Sequence, residues 1–302
     1  MADQLYVATG ADGVEHTASG EIAWSLPRQE GDAITPGDPI AVTSGELVLR
    51  RARSLLEGLE ERIFQVEGLE GVSDHEDSVT ATSARLSKET AWDDEAAARF
   101  AIGCAKHSLN EAPSLTLPDG TPLGEIVAEA AHVLESVGAD GEERLGFLAR
   151  ISAVRRLRRL RGEVSDASLA QMTRDLGNDL DTVDDPAWVQ IAACSEAVLA
   201  ALEALRHVAL PRYVHSREET VDEHPETAPV SSSIVVTPWG PVALGAEHRS
   251  PYEPAWVEAR DAATRAREAA EDRGGKSALN AEIGFQAKLL EAILEGEKPS
   301  LE

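Results

Sequence analysis

The chain has 302 residues, of which 42% are hydrophobic, and this is enough for one large or two modest globular domains with a buried core. Its 54 acidic and 28 basic residues give a formal net charge of −26, which argues against non-specific nucleic-acid binding. At about 1 M salt the Debye length falls to about 3 Å and most of the self-repulsion disappears. We therefore interpret the acidic surplus as adaptation to a salt-rich cytoplasm.

The sequence contains no signal for secretion or membrane insertion. Its first twenty residues hold no basic stretch followed by an apolar run. The most apolar stretch, residues 188–210, is interrupted by charged residues and predicts a core helix instead of a membrane span. Cys104 and Cys194 lack CxxC spacing and predict buried free thiols in a reducing compartment. A cytoplasmic location is therefore expected.

The N-terminal region is predicted to contain strands followed by one helix. Apolar and polar residues alternate in the first forty residues, which is typical of short strands. Residues 43–46 have the spacing of a capping box, and apolar residues then recur at helical period as far as Ile63, which predicts an amphipathic helix. Residues 71–88 are polar and predict a loop with one strand near 79–86.

The middle of the chain is predicted to be a run of helices. Several of them have clear start signals, such as Thr121-Pro122 and Asp185-Pro186, where a capping residue precedes a proline. Because short loops join successive helices, we expect an antiparallel bundle. The predicted helices cover residues 90–109, 123–137, 142–161, 166–180 and 186–210.

The C-terminal region is predicted to begin after an exposed linker over residues 217–233, which is rich in acidic residues, proline and serine. A β-hairpin is predicted around the turn Pro238-Trp239-Gly240-Pro241, and two helices follow it. The expected fold class is α+β but predominantly α-helical, with a helical bundle at its centre. The expected units are a small α+β unit (1–89), the bundle (90–216), the linker, and the hairpin with two helices (234–302), or one continuous domain.

The most unusual feature is a basic segment in an acidic chain. Seven arginines and no acidic residue lie within residues 144–161, here called the arginine segment. Its apolar residues recur about every 3.5 positions, which predicts a helix with one apolar face and arginines on the others. Guanidinium groups bind phosphates and carboxylates in bidentate geometry. The segment either docks a partner or is neutralised by acidic helices of the same molecule. The candidate binding residues are Arg150, Arg155, Arg156, Arg158, Arg159 and Arg161.

Asp175 and Asp179 are four residues apart on a predicted helix, so both carboxylates lie on one face. Prenyl-transferring enzymes hold magnesium with such aspartates, but they use two facing helices, and the chain offers no convincing second one. We interpret both residues as solvated acids and weak metal candidates. Neither a metal nor a cofactor is predicted.

Other motifs carry less information. Gly274–Ser277 resembles the end of a phosphate-binding loop, but Ala270 stands where the first glycine is needed, so an interhelical turn is predicted. The histidines are scattered and lack the spacing of a metal site. Trp239, at the predicted hairpin tip, is either a contact residue or packed back onto the protein.

The function expected from the sequence is a non-catalytic binding or adaptor protein. Its arginine segment would dock an acidic protein or, as a further alternative, nucleic acid or a phosphorylated ligand. The competing hypothesis is a metal-dependent enzyme that acts on phosphorylated or isoprenoid diphosphate substrates through Asp175, Asp179 and the arginines. No catalytic residue is identified, because the common nucleophile and metal motifs are missing.

Overall fold

The fold was obtained as a computed structural model. It describes residues 4–17, 20–31, 33–42, 46–76, 78–110, 115–116, 120–137, 159, 162–164, 186–209, 233–237, 240–244 and 254–301. Within these ranges the N-terminal third of the chain forms strands, and most of the remainder forms helices.

A seven-stranded antiparallel sheet dominates the N-terminal region, in the spatial order β6-β11-β8-β1-β7-β10-β9. Two separate hairpins, β2–β3 and β4–β5, accompany it. One short helix, α1 (Ala52–Leu55), lies between β7 and β8. The strands are β1 (Tyr6–Thr9), β2 (Val14–Thr17), β3 (Gly20–Ala23), β4 (Arg28–Glu30), β5 (Ala33–Thr35), β6 (Ile40–Ala41), β7 (Leu47–Arg50), β8 (Arg62–Glu70), β9 (Ser73–Asp74), β10 (Ser78–Ala81) and β11 (Ser83–Glu89).

The prediction of a predominantly α-helical bundle is wrong. The molecule is an α+β fold with a large antiparallel sheet at its N-terminal end and helices after it. The largest error is the helix predicted from residue 43 to Ile63, which is replaced by β7, α1 and the start of β8. Leu47 and Leu49 are fully buried, whereas Val48 between them is 45% exposed. This period of two is that of a strand with one buried face.

A tight reversal follows α1 and leads the chain into β8. Gly58 N–H donates to Leu55 O at 2.9 Å, and Arg50 Nη1 lies 3.5 Å from Gly58 O. A Cβ atom at position 58 would stand 1.6 Å from Arg50 Nη1. Glycine therefore lets the chain turn beneath this side chain and enter β8.

The polar stretch 71–88, predicted as a loop with one strand, also belongs to the sheet. β10 pairs with β7 and β11 pairs with β8. Val79 and Ala81 of β10 lie in the same buried cluster as Ala84 and Leu86 of β11. The serines and threonines between them did not prevent strand formation, because one apolar face is enough for a strand that pairs on the sheet.

The central strands separate two apolar clusters, because successive side chains of a strand point to opposite faces. In β1, Tyr6 and Ala8 join the cluster formed by the helices, whereas Val7 joins a second cluster on the other face. In β8, Ile63 joins the helical cluster and Phe64 the second one. The sheet is therefore buried on both sides at its centre.

The helices predicted after residue 89 are confirmed where the structure describes them. They are α2 (Asp94–Asn110), α3 (Leu123–Val137), α4 (Pro186–Ala209) and α5 (Ala255–Leu294). Asp93 supplies the capping oxygen of α2, since Ala96 N–H donates to Asp93 Oδ1 at 2.8 Å. The helix predicted over 166–180 lies outside the described residues, as does 142–161 apart from Arg159 and the linker apart from residue 233.

Helix α5 is a helical hairpin, which confirms the predicted interhelical turn. Gly274 and Gly275 leave helical geometry, and Gly275 has a φ of 61° that glycine adopts easily. Gln286 Nε2–H donates to Ala263 O at 2.9 Å, although these residues would be about 34 Å apart on a straight helix. The segments 255–273 and 276–294 therefore lie side by side.

The predicted C-terminal hairpin is also confirmed. Strands β12 (Ser233–Thr237) and β13 (Gly240–Leu244) pair antiparallel, with Ile234 opposite Ala243. Its turn, at residues 238–239, lies outside the described residues.

Candidate functional site

Most of the arginine segment lies outside the described residues. Arg159 is described, and its side chain is 79% exposed. Its Nε–H donates to Glu163 Oε1 at 2.7 Å, one helical turn further on. Exposed pairs at this spacing contribute only about 0.3–0.5 kcal/mol, so the contact is weak. The candidates that lie outside the description are Arg150, Arg155, Arg156, Arg158 and Arg161.

The remaining candidate site residues are not described either. Asp175, Asp179 and Trp239 all lie outside the described ranges. Within those ranges, no three histidine, cysteine, aspartate or glutamate side chains are placed to bind one metal ion.

The contact between the half-buried His107 and the buried Glu282 is the most unusual polar feature of the described helices. His107 Nδ1–H, on α2, donates to Glu282 Oε2, on α5, at 2.5 Å. The Glu282 side chain is 1% exposed, and its Oε1 accepts a second hydrogen bond of 2.9 Å from Gln286 Nε2. The His107 ring stacks on Phe285, with centroids 3.8 Å apart. These contacts fix the position and the tautomer of the imidazole.

The pair joins α2 to the second segment of α5, and we interpret it as a contact that holds these helices together. A carboxylate that orients a histidine also supports proton transfer when a reacting group meets the other ring nitrogen. The sequence predicted a helix at His107 but not its partner, which lies 175 positions away.

The two cysteines are buried free thiols, as predicted. Burial raises the pKa of Cys104 and, to a lesser degree, that of Cys194. The Glu282 carboxylate raises both pKa values further, while a hydrogen bond of 3.8 Å from Cys194 Sγ to Ser108 O lowers that of Cys194 in part. Because the thiolate is the reactive form, the raised pKa and the burial lower the reactivity of both thiols.

Glu15 is a second buried carboxyl group, in the hairpin β2–β3. It is 4% exposed, and its Oε2 accepts a hydrogen bond of 3.0 Å from Trp24 Nε1. Burial raises the pKa of Glu15, and the indole hydrogen bond and the Arg50 guanidinium offset part of that increase. The folded protein therefore binds this proton more tightly than the unfolded chain does.

We expect Glu15→Gln to stabilise the protein at neutral pH and to lose this advantage as the solution is acidified. A raised folded-state pKa means that Glu15 contributes most favourably when protonated, and that this contribution is lost as the pH rises through the folded pKa. Glutamine keeps the acceptor for Trp24 without the charge. Urea unfolding at several pH values measures the difference.

The exposed Glu30→Gln variant is the control for Glu15→Gln, since it removes the same charge from the surface. An equal gain from Glu15→Gln at all pH values would contradict the proposed proton linkage.

A shallow cleft of about 210 Å³ lies between α4 and the first segment of α5. Arg265 crosses it and forms ion pairs of 2.8 Å with Glu196 and with Glu268. The remaining charges are carboxylates, the ordinary surface groups of such an acidic chain. Its lining residues are Ala192, Ala193, Glu196, Arg265, Glu268, Glu271 and Asp272.

Comparison with known proteins gave no relative: no family model matches the chain, and neither a curated protein nor a solved structure matches it. In the described part of the chain, no helix combines the length and the apolar character that crossing a membrane requires.

Proposed function

We propose that this is a non-catalytic binding protein of a salt-rich, reducing cytoplasm, which docks an acidic or phosphate-bearing partner through its arginine segment. The observation that carries the proposal is the separation of charge: seven arginines and no acid within residues 144–161 of a chain with a net charge of −26. The buried free thiols support the reducing compartment. The acidic surplus supports the salt-rich one.

The scarcity of acidic residues close in sequence to the candidate arginines favours docking of a partner over neutralisation of the arginines within the molecule. Among the six candidate arginines, Arg159 alone has an acidic residue three or four positions away, at Glu163. On a helix, these are the positions from which a side chain of the same helix reaches its neighbour. The other five would have to find acids on other helices. No observation on the described residues favours the metal-dependent enzyme.

The proposal is tested by replacing Arg155, Arg156, Arg158 and Arg159 with glutamine together. Binding of three fluorescent probes would be measured by anisotropy at low and at molar potassium chloride: polyglutamate, polyphosphate and single-stranded RNA. We expect wild-type protein to bind at least one probe and the variant to lose at least about tenfold in affinity, with a weaker salt dependence. The probe that binds identifies the chemistry of the partner.

The matched control replaces Arg28, Arg53, Arg85 and Arg265 with glutamine, which removes the same charge from elsewhere on the surface. An equal loss in this control, or no probe binding to the wild type in either salt, would contradict docking through the arginine segment.

A further inference from the structure

The C-terminal end of the arginine segment adjoins a residue that is anchored in the helical core. Residues 159 and 162–164 are helical, and the pair of Arg159 with Glu163 spans one helical turn. Val164 is fully buried and belongs to the apolar cluster of the helices. Gly162 is exposed, and a Cβ atom there would meet no atom within 4 Å. The buried valine and the exposed Gly162 and Arg159 show which side of this helix faces the core.

The same orientation is expected along the helix that the sequence predicts over residues 142–161. An α-helix has about 3.6 residues per turn, so residues four and seven positions before Val164 lie on its side of the helix. Those positions hold Leu160 and Leu157, and apolar residues are expected on a side that packs on a core. The sequence pattern and the burial of Val164 therefore give one orientation.

The six candidate arginines fall on different sides of the predicted helix. Arg155 is about two and a half turns before Val164 and is therefore expected opposite it. Arg158 and Arg159 are expected within about 60° of Arg155 around the helix axis. These three are here called the outer arginines. The others, expected on the core side or at its flanks, are here called the inner arginines: Arg150, Arg156 and Arg161.

We propose that the outer arginines bind the carboxylates of an acidic helix of another protein. This inference rests on the proposed function and specifies the residues in contact and the class of partner. Two helices have the same rise of about 1.5 Å per residue, so carboxylates three and four positions apart on the partner match the spacing of the outer arginines. Guanidinium groups bind such carboxylates in bidentate geometry.

Charge and composition favour an acidic protein over a nucleic acid as the partner. A DNA duplex carries one negative charge per about 1.7 Å, and a chain with a net charge of −26 repels so dense a polyanion. Single strands bind to proteins by stacking their bases on aromatic side chains. Residues 148–164 contain no aromatic residue.

The test compares two triple variants of the full chain that remove the same charge. The outer variant replaces Arg155, Arg158 and Arg159 with glutamine, and the inner variant replaces Arg150, Arg156 and Arg161. Fluorescence anisotropy at low and at molar potassium chloride measures binding of a helical alanine–glutamate peptide, whose glutamates are three and four positions apart, and of single-stranded RNA. We expect the outer variant to lose at least about tenfold in affinity for the peptide and the inner variant about threefold or less.

Two single variants cover the case in which a triple variant does not fold. Arg155→Glu should weaken peptide binding about tenfold, and Arg161→Glu about threefold or less. If the wild type binds the peptide but the inner arginines matter as much as the outer ones, this inference is wrong and docking through the arginine segment stands. The same holds if the wild type binds RNA and not the peptide. If it binds neither, the proposed function fails as well.

Discussion

Replacement of His107 by alanine is expected to lower the free energy of unfolding by about 3 kcal/mol, because the buried Glu282 carboxylate would lose its charged or hydrogen-bonded partner. The Glu282 carboxylate, 1% exposed, would keep only its hydrogen bond from Gln286. Stacking on Phe285 would be lost as well. Urea unfolding in molar potassium chloride, followed by circular dichroism, measures the change.

The double variant His107→Leu with Glu282→Leu separates two effects on the free energy of unfolding. One is the contribution of the pair itself, and the other is the destabilisation caused by a buried charge without a partner. Because it leaves no buried charge, we expect it to be more stable than His107→Ala by about 1 kcal/mol or more. His132→Ala, at an exposed position of α3, should change stability by about 0.5 kcal/mol or less. A double variant less stable than His107→Ala would show that the pair itself stabilises the fold.

The second large effect is expected at Gly37, in the loop between β5 and β6. Gly37 is buried, and its N–H donates to Leu86 O of β11 at 2.9 Å. A Cβ atom there would stand 1.8 Å from the backbone oxygen of Ser25. We expect Gly37→Ala to cost about 2–3 kcal/mol, since backbone on one side or the other must move.

Gly124→Ala is the matched control for Gly37→Ala, because a Cβ at this position of α3 meets no atom within 4 Å. It should leave stability unchanged or raise it by up to about 1 kcal/mol. Both are measured by the same urea unfolding. A Gly37→Ala protein as stable as the Gly124→Ala protein would contradict the close packing of this loop.

The helices were predictable because their signals are local. The helices at residues 123–137 and 186–209 begin directly after or at a proline that follows a capping residue, and they keep a helical period, so sequence and structure agree within a residue or two. Gly274 and Gly275 mark the turn of α5 in the same way. Such patterns depend only on neighbours along the chain.

The sequence predicted too small a sheet, because strand pairing depends on residues that are far apart along the chain. Val48, Ala52, Leu55, Leu59 and Ile63 fit a helical spacing when they are taken as one element, and only the pairing of β7 with β10 decides for a strand. That pairing joins residues about thirty positions apart. The sequence predicted one strand near residues 79–86, where the structure has two, β10 and β11, whose partners in β7 and β8 supply the hydrogen bonds.

The candidate sites also differ in whether their signals are local or non-local in the sequence. The arginine segment is visible in the sequence because charge composition needs no structure. The pair of His107 with Glu282 joins residues 175 positions apart, so no spacing rule finds it. A histidine on an amphipathic helix looks like an ordinary surface residue until the opposing element is known.

The seven-stranded sheet ends on both sides in a strand of two residues, β6 and β9. Each edge strand therefore has very few consecutive unpaired backbone amide and carbonyl groups. A strand from a neighbouring molecule would find almost no ladder to extend, and natural sheet proteins resist aggregation in this way. At high protein concentration and high ionic strength, charge repulsion between molecules is screened. The short edge strands would then contribute to preventing aggregation.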